Sequence, residues 1–115
     1  MKGCANMQLT EIIYDCLGKV KATDILEYDM KERSPFFDTM ILASVDSERQ
    51  ASAVVNYIEE EANKLGAKLR GIEGLNTAWV LIDLYDVIIS IFTHEEREHF
   101  ALEKIYLDIP CKKII

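Results

Sequence analysis

The stretch from Ser47 to Gly66 constrains this fold more than any other part of the sequence. Ser47 and Gln50 form an S-x-x-Q capping box, in which each side chain satisfies an otherwise unpaired backbone N–H at a helix start. Behind it Ala51, Val54, Val55, Ile58, Ala62 and Leu65 recur at helical spacing as an apolar stripe, and Gly66 supplies a left-handed terminator. Asp38–Ser44 (DTMILAS) reads as a short buried strand before this helix, and Leu69–Glu73 (LRGIE) as another after it. Strand, helix, strand is a β-α-β unit with a right-handed crossover. The chain is thereby committed to an α/β layer.

The remaining segments extend that layer. Leu9, Ile12, Ile13, Cys16, Leu17 and Val20 predict an amphipathic helix opened by Thr10 and Glu11 and weakened by Gly18. Asp24–Met30 (DILEYDM) alternates Leu26, Tyr28 and Met30 against Glu27 and Asp29, the pattern of a strand with one wet face. Lys31–Phe37, with its Ser-Pro pair, is a loop. Trp79–Leu84 (WVLIDL) and Val87–Phe92 (VIISIF) are apolar runs joined by a tight acidic connection at Tyr85 and Asp86, so they should pair as an antiparallel hairpin. Thr93 and Glu96 make a second capping box, opening a helix that passes Phe100 and continues irregularly to Tyr106 before Pro110. The expectation is a single-domain mixed sheet of about five strands flanked by helices. Residues 1–7 would be an N-terminal extension, 8–110 the domain and 111–115 a C-terminal tail.

Charge limits the partners. Twenty acidic residues against 13 basic ones leave a net charge of −7 in 115 residues, of which half are apolar. A broad phosphate-binding face needs clustered Lys and Arg, so this balance argues against direct sequence-specific nucleic-acid binding and favours basic proteins. Glu11 and Asp15 interrupt the first apolar stretch, which excludes a signal peptide's apolar core, and no run approaches a membrane span. Cys4, Cys16 and Cys111 form an odd, dispersed set without C-x-x-C. These features fit a cytoplasmic protein with free thiols.

No arrangement of residues demands catalysis. His94 and His99 lie five apart, about 140° around a helix, whereas a metal-binding pair needs a spacing of four. Ser44, Ser47 and Ser90 have no nucleophile setting, and no phosphate-binding glycine loop occurs. Asp83 and Asp86 are explained as well by turn chemistry as by a carboxylate pair. The expectation is no catalytic residue, no metal ligand and no cofactor. Trp79 is the residue with two open readings: a half-buried strand end, or an exposed anchor for a partner.

Several segments occur together in an informative order. They are Asp38 leading into a buried strand, Ser47-x-Arg49-Gln50, Glu73-Gly74, Trp79-Val80-Leu81-Ile82-Asp83, Ile91-Phe92, and Arg97 before Phe100-x-Leu102-Glu103. In this order and spacing the chain resembles the ribosomal silencing factor family, also called Iojap-related proteins, over roughly residues 8–110. The resemblance implies a nucleotidyltransferase-like fold that works by binding. Its expected partner is the large ribosomal subunit, through the basic ribosomal protein L fourteen, so that docking blocks joining of the small subunit under starvation. It also implies a homodimer, and a contact built from Trp79, Asp83, Leu84, Tyr85, Asp86, Phe92, Arg97 and Tyr106. A large-subunit assembly factor and a degenerate nucleotidyltransferase are the alternatives. The second of these lacks the Gly-Ser helix opening, having Val45-Asp46-Ser47. The chain departs from the family pattern elsewhere too. Leu84-Tyr85-Asp86 replaces Tyr-Gly-Asp, Ser90 a His, Val45 a Gly, Thr39 a Tyr and Tyr106 a Trp. Without the turn glycine, residue 85 must either avoid positive φ or accept strain.

Overall fold

The computed structural model describes residues 2–100, 104 and 107–114. The elements are α1 (Lys2–Lys19), β1 (Thr23–Asp29), β2 (Thr39–Val45), α2 (Glu48–Lys64), β3 (Gly71–Glu73), β4 (Trp79–Asp83), β5 (Val87–Thr93), α3 (His94–Phe100) and β6 (Cys111–Lys113). One six-stranded sheet runs in the order β3-β4-β5-β2-β1-β6. The β2–β5 pair is parallel and the other pairs are antiparallel. It follows that β3 runs in the direction of β2, as the β-α-β reading requires, with β4 and β5 inserted between them.

Local chemistry accounts for the element ends. Ser47 Oγ accepts from Gln50 N at 3.2 Å, while the Gln50 amide reaches two other groups. Its Oε1 accepts from Asp46 N at 2.9 Å, and its Nε2 donates to Val20 O at 2.9 Å, tying the end of α1 to the start of α2. At the far end Ala67 N bonds Ala62 O and Gly66 N bonds Asn63 O, a Schellman closure around Gly66 at φ 77°. Leu65, placed on the apolar stripe by spacing, is instead 42% exposed, because the helix closes before it turns inward. The same closure ends α1, through Ala22 N to Leu17 O, with Lys21 in the left-handed position.

Three sequence expectations are corrected. The first helix begins at Lys2, not at Thr10. Residues 111–113, expected in a tail, form an edge strand against Leu26–Tyr28, and their exposed Lys112 and Lys113 suit a sheet edge. The face of β1 carrying Ile25, Glu27 and Asp29 is wet only at its Asp29 end: Ile25 is buried in the helix-side core and the Tyr14 hydroxyl donates to half-buried Glu27 Oε1.

Two cores sandwich the central strands. On one face α1 and α2 pack over Ile41, Ala43, Val45, Val80, Ile82, Val87, Ile89 and Ile91. On the other, Tyr28, Met30, Met40, Leu42, Phe92 and Ile109 form a smaller cluster. A strand covered on both faces reads as an uninterrupted apolar run, and six of the seven β2 residues are buried.

The β4–β5 turn has a left-handed residue that carries a side chain. Tyr85 sits at φ 67°, Leu84 N bonds Val87 O at 2.9 Å, and Asp86 N bonds Leu84 O at 2.9 Å. Asp83 Oδ1 accepts from Tyr85 N at 2.9 Å, which helps hold this geometry. For a residue with a Cβ, left-handed backbone costs roughly 1–2 kcal/mol.

Tyr85→Gly and Tyr85→Ala both lose the ring, but only the first relieves the backbone. In urea denaturation the glycine variant should therefore exceed the alanine variant by about 1 kcal/mol. A second expectation concerns pH. Burial, and then Glu27 beside it, hold the Tyr14 proton well above the usual tyrosine range, and burial also raises the Cys16 thiol. The folded chain keeps these protons after the unfolded chain has released them. Stability is then complete below about pH 8 and falls as pH climbs past about 10. Urea midpoints from pH 8 to 11 should drop, and drop less in Tyr14→Phe.

Candidate partner-binding surface

Trp79 is positioned by a loop that only glycine can close. Gly74 has φ 75°, and a Cβ there would lie 2.1 Å from Trp79 O. Thr77 N bonds Gly74 O at 3.0 Å, and the Thr77 hydroxyl donates to the same carbonyl at 2.5 Å. The cinched loop delivers Trp79 to the first position of β4, paired with Phe92. Their rings stack with centroids 4.8 Å apart at 30°. Trp79 is half-buried and Phe92 is 1% exposed, so the indole lies over a ring that belongs to the smaller core. Of the two open readings of Trp79, the half-buried strand end is the one seen, with its ring packed on Phe92.

The two-residue period of β4 places Leu81 and Asp83 on the same face as Trp79. Leu81 pairs laterally with Glu73 on one side and Ser90 on the other, and Asp83 pairs with Ile88. Leu81, Asp83 and Ile88 are all half-buried, and Glu73 is exposed. A hollow of about 300 Å³ opens between Glu73, Gly74, Trp79 and Leu81. This end of the sheet thus presents an apolar strip, Trp79-Leu81-Ile88, rimmed by carboxylates.

The hairpin tip beside the strip is held by several contacts. Arg70 Nε and Nη2 both lie 2.8 Å from Asp83 Oδ2, and the Arg70 guanidinium sits 5.1 Å from the centre of the Tyr85 ring. Arg70 N also donates to Asp83 O at 2.7 Å. Tyr85 is 52% exposed. The Asp86 carbonyl accepts from Asp38 N at 2.8 Å and Thr39 N at 3.1 Å, fastening the tip to the start of β2.

Sequence grouping and spatial grouping agree only in part. Trp79 has surface at the open end of the hairpin, and Asp83, Tyr85 and Asp86 have surface at its tip, at the other end of β4. Leu84 is 4% exposed and turned into the helix-side core, and Phe92 supports Trp79 from beneath, so neither offers a partner its side chain. Arg97 is 9% exposed. It donates to Ser44 Oγ at 2.9 Å and to the Asp24 carbonyl, clasping α3 to β2 and β1. Tyr106 lies outside the described residues. His94 Nε2 is 2.9 Å from Asp46 Oδ1, which joins α3 to the residue before the α2 cap. Four neighbours were missed: Glu73, Leu81, Ile88 and Arg70. The alternation that marks Trp79 and Asp83 was sufficient to find Leu81, and the facing strand to find Ile88. Arg70 had no local signal, since its place beside Asp83 follows from the Gly71↔Asp83 pairing.

Comparison with known proteins bears on what this surface serves. The family model described as "Ribosomal silencing factor during starvation" matches residues 5–114. The ribosomal silencing factor RsfS of Haemophilus influenzae is 37% identical over 101 residues, spanning 87% of this chain and 99% of its own length. That of Halalkalibacterium halodurans is 31% identical over 111 residues, spanning 96% and 95%. A crystal structure of a Chromobacterium violaceum protein superposes with a TM-score of 0.81 at 28% identity, covering 87% of this chain and 84% of that one. One from Bacillus halodurans gives 0.80 at 28%, covering 94% and 99%. The match runs through the capped helix, the Gly74 loop and the whole hairpin, and on it this chain belongs to the ribosomal silencing factor family.

Proposed function

We propose that this chain represses translation by docking on the large ribosomal subunit through its basic protein L fourteen, so that its bulk excludes the small subunit. Family membership already implies regulation of translation at the ribosome. The finer reading is supported above all by the half-open strip Trp79-Leu81-Ile88 with Glu73, Asp83 and Asp86 around it. Aromatic and aliphatic groups supply affinity once desolvated, while a carboxylate rim steers a basic partner and repels RNA phosphates. The net charge of −7 acts in the same direction at longer range.

In this reading Trp79, Leu81, Tyr85 and Asp86 touch the partner, and Asp83 meets it at the margin. Phe92, Leu84 and Arg97 keep the hairpin in place. The chain acts by binding and exclusion without catalysing a reaction, and it works in the cytoplasm as a homodimer. Among the described residues no helix is long and apolar enough to cross a membrane.

Trp79→Ala should weaken co-sedimentation with purified large subunits by about 2 kcal/mol, near thirtyfold, at a temperature where circular dichroism shows the variant folded. Leu65→Ala, which alters an exposed apolar side chain at the end of α2, should leave binding unchanged. A folded Trp79→Ala protein that binds like the parent would remove the strip from the interface.

A further inference from the structure

The tip of the hairpin carries its own cation. Both Asp83 carboxylate oxygens are engaged within the chain: Oδ1 accepts from Tyr85 N at 2.9 Å and Oδ2 lies 2.8 Å from Arg70 Nε and Nη2. The Arg70 side chain is half exposed whereas that of Asp83 is 19% exposed. The arginine therefore lies over the carboxylate from the solvent side and shares the place a partner's cation would take. Its guanidinium is also held 5.1 Å from the ring centre of Tyr85, the left-handed residue of the turn. The left-handed backbone of Tyr85 and the ring–guanidinium contact keep Arg70 over Asp83.

We infer that Arg70 is an internal competitor for Asp83, setting how tightly and how salt-dependently the hairpin tip takes a basic partner. This rests on the reading that a basic protein surface docks at the tip. When such a surface approaches, an incoming Lys or Arg meets a carboxylate whose charge is already compensated. Part of the electrostatic gain of docking is spent on loosening the Arg70–Asp83 pair. An ion pair whose arginine faces solvent is weak enough to be exchanged, so Arg70 moderates the interaction without forbidding it. A partner with a lone cation gains little from such a tip, and one that also covers Tyr85 and the Trp79-Leu81 strip gains enough.

The test measures binding of the full chain to purified large ribosomal subunits, with variants confirmed folded by their melting temperatures. Arg70→Gln should bind about three- to fivefold tighter than the parent at 50 mM salt, the advantage shrinking at 0.5 M salt. Arg70→Lys, which keeps the charge, should bind like the parent. In an Asp83→Asn background Arg70→Gln should bring no tightening. If Arg70→Gln binds no better than the parent, or tightens equally in the Asp83→Asn background, the competition is refuted while the docking reading stands. Failure of the parent itself to bind large subunits would overturn the docking reading and this inference with it.

Discussion

The parallel pairing of β2 with β5 is the contact on which the rest of the structure depends. It is unbroken from Thr39↔Val87 to Val45↔Thr93, and it joins the first β-α-β half of the chain to the hairpin that follows. Parallel neighbours bring no short turn to hold them, so side chains must do it from both faces. Ile41, Ala43, Val45, Val87, Ile89 and Ile91 do so under α1 and α2, while Met40, Leu42 and Phe92 do so on the other side. Phe92 contributes twice, since it also carries the Trp79 ring. The floor of the candidate surface is in this way part of the core, and a substitution at Phe92 would disturb both.

The asymmetry of the two sheet faces links fold to function. One face is occupied by two long helices and leaves little for a partner. The other is filled across β1 and β2, and at β4 and β5 it presents half-buried Trp79, Leu81, Asp83 and Ile88. A domain of this size has little surface to spare. Here the same strands build the core with alternate residues and show their remaining ones outward, with Gly74 and the Asp86 carbonyl fixing where that display begins and ends.

Features governed by neighbours in sequence were legible before any coordinates. The Ser47–Gln50 cap, the α2 stripe, the Gly66 terminator and the hairpin are each determined within a few residues, and the Thr93 cap recurs as Glu96 N bonding Thr93 Oγ1 at 3.4 Å. Features governed by distant pairing were not. β6 is three exposed residues, two of them lysines, and only Leu26–Tyr28 make them a strand. Glu27 looked wet because the Tyr14 hydroxyl that meets it is 13 residues away. In the candidate surface, reading Asp83-Leu84-Tyr85-Asp86 as one block ignored the pleat, which turns Leu84 into the opposite core. Arg70 stayed hidden for the reason β6 did: its partner is set by register. The family resemblance, by contrast, was legible because its fragments hold backbone-determining residues such as Gly74 in fixed order.

Exclusion of the small subunit by docking on the large one is tested most directly by joining of purified subunits. Light scattering or gradient sedimentation would follow joined ribosomes as the protein is added to large subunits before small ones. Joined ribosomes should fall in proportion to the protein bound, with free small subunits accumulating. Undiminished joining at saturating occupancy of the large subunit would contradict exclusion.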